Sequence, residues 1–238
     1  MTLTIPHTVA CGTGGKVRSS RMPAIIAALA GVLVATAACG GGNESSSGSG
    51  DQQSSARSAA ASPAVPEYKT LGKAELTKVL LPLDAMPNGF SEDADDSTSC
   101  DKTFCNYKPP FNPKLRASKS YIKGGGFDSE VVGVGLRQYG SVEQAVASYE
   151  AMEKVLQTCK RETSDGEKIT YTAMNVPKVG DKSLALRVSS GGATVLQSFS
   201  LVGPVLVNVG SGGLMKADAD LVADLLGEQV KRYTAAAK

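Results

Sequence analysis

Residues 183–213 read SLALRVSSGGATVLQSFSLVGPVLVNVGSGG, and their alternation decides the fold. Leu184, Leu186 and Val188, then Val195, Phe199 and Leu201, then Val205, Val207 and Val209 recur at a spacing of two, the period of a half-buried strand. Gly191 and Gly192 separate the first two runs, and Gly203 with Pro204 the last two. Breaks this short suit tight hairpins, so the stretch predicts three antiparallel strands. Gly210, Gly212 and Gly213 read as a simple turn before the last helix; with no GK[ST] after them they make no phosphate loop.

Upstream, a further strand is expected near Ile169 to Val176. Lys119 to Lys123 and Glu130 to Tyr139 flank Gly124, Gly125 and Gly126 and suggest another hairpin. Helical spacing appears in three places. From Lys73 to Leu81, Leu76, Val79 and Leu80 share one face and Pro82 stops the run. From Val142 to Cys159, Ser141 and Gln144 have capping-box spacing, and Ala145, Val146, Tyr149, Met152 and Leu156 form an apolar stripe. From Lys216 to Tyr233, Leu221, Val222, Leu225, Val230 and Tyr233 face inward and Asp218, Asp220 and Asp224 outward. The expected fold class is α+β: a twisted antiparallel sheet with about three helices packed on one face.

The amino-terminus has a different character. Lys16, Arg18 and Arg21 precede the uncharged run MPAIIAALAGVLVATAA, Met22 to Ala38, which rises only about 25 Å as a helix and ends in small residues. Thr36, Ala37, Ala38 and Cys39 resemble the bacterial lipobox, with Thr36 where Leu or Val is commoner. Residues 1–38 are therefore expected to be a lipoprotein signal peptide, and Cys39 the lipidated residue that fixes the chain to the outer face of the cell membrane. GGNESSSGSGDQQSSARSAAASPAVP, ending at Pro66, is too polar and small to bury a core, so 39–66 reads as a flexible tether, with a mean reach of roughly 30 Å. Residues 67–238 then form one domain.

Charge and residue types exclude several functions. Three cations and no anions precede Cys39, leaving 22 against 23 in the mature chain; with no Trp and no clustered basic run, no nucleic-acid partner is expected. The only histidine, His7, lies in the leader, which rules out histidine-activated nucleophiles, histidine general bases and histidine-bearing zinc sites. Glu92, Asp93, Asp95 and Asp96 form the densest acidic cluster but lack the spacing of a calcium loop, and read as a solvated loop. No cofactor and no metal are expected, and the chain reads as no enzyme.

Cys100, Cys105 and Cys159 remain after lipidation of Cys39, in an oxidising compartment. Chain entropy favours the longer closure, Cys159 with Cys100 or Cys105, which stabilises by about 4 kcal/mol for a loop of some 55 to 60 residues.

LTKVLLPLDAMPNGF near the start, GSVEQAVASYEAMEKVLQTC ending in cysteine, and GPVLVNVGSGG before an amphipathic helix together resemble the PknH-like extracellular sensor domains of actinobacteria. The resemblance implies an α+β fold with a twisted antiparallel sheet, a broad cleft, a ligand-sensing role and a bridge ending at Cys159. The family's second bridge has no counterpart in 183–210, and no kinase is present, so any signal must pass to another membrane protein.

The strand pattern offers a ligand site. With Val132, Val134 and Leu136 inward, Gly133, Gly135 and Arg137 face out, and Arg187 and Asn208 also lie opposite the apolar positions of their strands. Small and cationic residues on one sheet face suit an anionic or carbonyl-bearing ligand. The leading expectation is a non-enzymatic surface lipoprotein that binds or senses a small or envelope-derived ligand. The alternative is a carrier or structural envelope lipoprotein holding an apolar molecule in a closed cavity.

Overall fold

The computed structural model describes residues 67–93, 104–164, 166–213 and 217–238. The signal segment, Cys39, the tether and Cys100 lie outside them. Among the described residues the chain runs α1 (Lys73–Lys78), β1 (Phe90–Glu92), β2 (Leu115–Lys123), β3 (Glu130–Gln138), α2 (Val142–Thr158), β4 (Arg161–Ser164), β5 (Glu167–Met174), β6 (Lys182–Ser190), β7 (Ala193–Val202), β8 (Val205–Gly213) and α3 (Ala219–Ala237). The strands form one antiparallel sheet in the order β1-β2-β3-β8-β7-β6-β5-β4. Two meanders, β1 to β3 and β4 to β8, meet where β3 pairs with β8, and α2 carries the chain between them.

The three expected strands of 183–213 are present, and β8 extends through the glycines that read as a turn. Gly210, Gly212 and Gly213 are paired on both sides, Gly210 with Gly133 and Gln197, so ladder hydrogen bonds outweigh the poor strand propensity of glycine. β1 and β4 were not foreseen, because strands of three and four residues carry too few alternations to be recognised. At the β7–β8 turn Gly203 has a φ of 52° and the ring of Tyr68 lies against its Cα, so a side chain there would meet both backbone strain and the ring.

The helices divide between the two faces and are not gathered on one. Val132, Val134, Leu136, Val205, Val207, Val209 and Leu196 pack with Val222, Leu226, Val230 and Tyr233 of α3 and Leu76 of α1. Leu186, Phe199, Leu201 and Leu206 pack with Ala145, Tyr149 and Met152 of α2. β8 is therefore apolar on both sides, with Val205 and Leu206 both buried. The cap of α2 is as expected on one side only: Ser141 Oγ accepts the N–H of Gln144, while the Gln144 side chain accepts the N–H of Gly140 instead of Ser141. Asp218 caps α3 by accepting the N–H groups of Asp220 and Leu221.

Two buried glutamines fasten the amino-terminal segment. Gln138 of β3 accepts the N–H of Leu71 and donates to its carbonyl, at 3.1 and 2.8 Å. Gln229 of α3 accepts the N–H of Leu81 and donates to the carbonyl of Val79, at 2.8 and 3.0 Å. Among the described residues no helix is long and apolar enough to cross a membrane.

Candidate functional site

Alternation along β3 sends Val132, Val134, Leu136 and Gln138 toward α3, and Val131, Gly133, Gly135 and Arg137 to the α2 side. Register then assembles a floor. Gly133 faces Gly210, Gly135 faces Asn208 and Val131 faces Gly212 across β3 and β8. On β7, Gln197 faces Gly210 and Val195 faces Gly212; on β2, Ser118 and Ser120 face Gly135 and Gly133. Four glycines on two adjacent central strands thus make a flat patch.

Two amide side chains lie across this patch. A Cβ built on Gly135 would stand 2.5 Å from Asn208 Oδ1, and one built on Gly210 would stand 2.5 Å from Gln197 Nε2. Each amide lies where its neighbour's missing side chain leaves room. Among the described residues nothing comes within 4 Å of a Cβ built on Gly133, and Val131 beside it is 38% exposed. The α2 core fills the half of this face around Leu186, Phe199, Leu201 and Leu206; in the glycine half Gly135, Gly210 and Ser120 are buried, and among the described residues the space over Gly133 is open.

Arg137 borders the patch on the α2 side, near Tyr107. Burial pushes the Tyr107 phenol up to about 12, Tyr139 adds to the rise, and the Arg137 charge opposes it. Tyr107 donates to the carbonyl of Ser148 on α2 at 2.9 Å. Tyr107, Tyr139, Tyr149 and Tyr171 all belong to the core beneath α2. The far end of that core is closed by a disulfide between Cys105 and Cys159, whose Cα atoms are 6.1 Å apart. Of the two closures left open by sequence, the chain has the Cys105 one.

The patch presents amide donors and acceptors, peptide backbone, serine hydroxyls and one guanidinium. Among the described residues its floor carries no carboxylate, imidazole or thiol. Gly133, Gly135, Arg137 and Asn208 share this face as expected. Arg187 does not. It pairs with Leu196, which packs into the α3 core, so Arg187 leaves on the opposite face. Apolar positions of β6 point to α2 and those of β8 to α3, so "opposite the apolar positions" means different faces on different strands. Gln197 was missed for the same reason: only its pairing with Gly210 marks it.

No protein-family model matches the chain, and no characterised protein matches it in sequence. Among solved structures, the chain has a weak, fold-level likeness to the extracellular domain of PknH from Mycobacterium tuberculosis. The match covers 71% of this chain and 99% of that one, with a TM-score of 0.47 and 12% identity.

Proposed function

We propose that this chain is a non-enzymatic ligand-binding or sensor domain, held at the outer face of the cell membrane by a lipid on Cys39 and passing its signal to a separate membrane protein. The carrying observation is the glycine floor on the α2-side face, open over Gly133 among the described residues, with the amides of Asn208 and Gln197 in the space beside Gly135 and Gly210 and Arg137 at its border. A glycine floor bordered by amide donors and acceptors suits a flat, carbonyl-bearing or anionic ligand, which would rest on the peptide backbone above Gly133 and exchange hydrogen bonds with both amides. A carrier of an apolar molecule calls for an enclosed apolar cavity, and the open, amide-lined patch supports the binder instead. The tether after Cys39 supports a domain that stands off the membrane.

The test uses the full chain extracted from its own membrane in neutral detergent. Native mass spectrometry of the wild type is expected to show a retained small molecule. Gly133→Val fills open space on an extended strand, so it should keep the fold while the extra mass disappears. Retention of the same molecule by Gly133→Val and by Asn208→Ala would overturn the site. Labelling with a radioactive fatty acid tests the anchor: label should enter the wild type and not Cys39→Ser.

A further inference from the structure

The face of β4, β5 and β6 on the α3 side carries charge that the candidate site does not use. Register sets Arg161 opposite Thr170, Thr170 opposite Ser189, Lys168 opposite Thr163 and Arg187 opposite Thr172. These side chains leave on one face, the face of Leu196. Arg161, Lys168 and Arg187 are all exposed and stand around the hydroxyls of Thr170, Thr172 and Ser189. Direct neighbours on such a face are about 5 Å apart and diagonal ones about 7 to 8 Å, so the three cationic stems span roughly 14 Å.

Among the described residues no acid neutralises them. Elsewhere three lysines are paired, Lys119 with Glu92 at 3.0 Å, Lys182 with Glu150 at 2.7 Å and Lys231 with Glu228 at 3.8 Å. Among the described residues Arg161, Lys168 and Arg187 enter no ion pair. The carboxylates of these strands, Glu162 and Glu167, leave on the other face, where they accept the hydroxyls of Tyr171 and Ser190. A field of one sign with hydroxyl donors among its charges attracts anions. The surface is nearly flat, with only a shallow depression at the β4–β5 edge bordered by Arg161, Lys168, Thr170 and Thr172. A single phosphate reaches one of the cations, whereas a polymer bearing an anion on successive units reaches all three.

We infer that this face binds a linear polyanion, a phosphodiester- or carboxylate-bearing envelope polymer. The cations stand away from the place where the chain enters the domain. Tyr68 lies against Gly203 and the N–H of Lys69 donates to the carbonyl of Ala237, so the tether joins at the β7–β8 turn. The cations lie level with Thr194 and Leu196, about 25 Å along β7 from that turn.

The full chain in neutral detergent is titrated with long-chain inorganic polyphosphate at several salt concentrations, beside orthophosphate and micelles doped with phosphatidylglycerol. Polyphosphate should bind with an affinity that falls as salt rises. The variant R161A/K168A/R187A should lose about tenfold or more, and the slope of log affinity against log salt should fall by about 2 to 3. The variant K78A/K154A/K231A removes the same charge elsewhere and should bind like the wild type. Far-ultraviolet circular dichroism checks both folds; should the triple variant unfold, Arg187→Gln and Lys168→Gln, each at an exposed position, should each weaken binding severalfold. Equal binding by the two triple variants, binding of orthophosphate as tight as the polymer, or displacement of the polymer by phosphatidylglycerol at equal charge would each overturn the inference.

Discussion

The backbone N–H of Cys105 donates to a carboxylate oxygen of Glu162 at 2.7 Å, and the other oxygen of that carboxylate accepts the hydroxyl of Tyr171. Cys105 adopts a φ of 53°, a left-handed conformation that a side chain rarely takes, and it does so where the disulfide and this hydrogen bond both hold it. Glu162 thereby joins edge strand β4, its neighbour β5 and the disulfide loop. Glu162→Ala leaves a backbone donor and a phenol without partners and should lower stability by about 2 to 3 kcal/mol, against about 1 for Tyr171→Phe. Urea unfolding of the two variants and their double mutant measures the coupling.

The disulfide closes a sequence separation of 54 residues. Reduction, or Cys159→Ser, should cost about 4 kcal/mol through the freedom returned to the unfolded chain. Thermal unfolding with and without reductant checks the magnitude. Peptide mapping without reduction should recover Cys105 joined to Cys159; recovery of Cys100 joined to Cys159 would contradict the structure.

Gln229 is fully buried and both ends of its amide are engaged by the Val79–Leu81 backbone. Gln229→Leu is close in size but leaves a buried N–H and a buried carbonyl unpaired, at a cost of about 2 to 4 kcal/mol. Amide exchange at Leu81 should accelerate in this variant far more than exchange in the centre of β8. Equal acceleration at both would mean that Gln229 supports the whole domain and not this attachment alone.

Burial is the foremost cause that pushes the phenols of Tyr107, Tyr121 and Tyr149 up to about 12, and it raises Tyr171 and Tyr233 as well. The folded state keeps these protons while the unfolded chain releases them near the ordinary value of about 10. The unfolded state therefore binds fewer protons above that point, and stability falls as pH rises from about 10 toward 12, with no contribution to pH dependence from these groups below it. Alkaline titration followed by tyrosinate absorbance and circular dichroism should show most phenols ionising together with the loss of structure. Ionisation of five of them near pH 10 with the fold intact would refute this.

Much of the fold is legible in the sequence. Alternation of two in 183–213 and of three to four in 142–159 are properties of a strand and a helix by themselves, so β6, β7, β8 and α2 stand where their apolar spacing puts them. The choice between Cys100 and Cys105 could not be read, because both lie in one short segment and the loop entropies differ little. The site was half legible. Within β3, period alone puts Gly133, Gly135 and Arg137 together, but the joining of Asn208 and Gln197 to them rests on which residue of one strand faces which of the next.

Sequence by itself determined which residues form strands and helices, which side chains of one strand share a face, and that no histidine follows His7. Tertiary structure alone decided which face each strand gives to which core. With α2 on one side and α3 on the other, an apolar residue is inward on either face, and only pairing across strands separates Arg187 from Arg137 and groups it with Arg161 and Lys168. Periodicity is local, whereas sidedness is set by hydrogen-bond register between segments far apart in the chain.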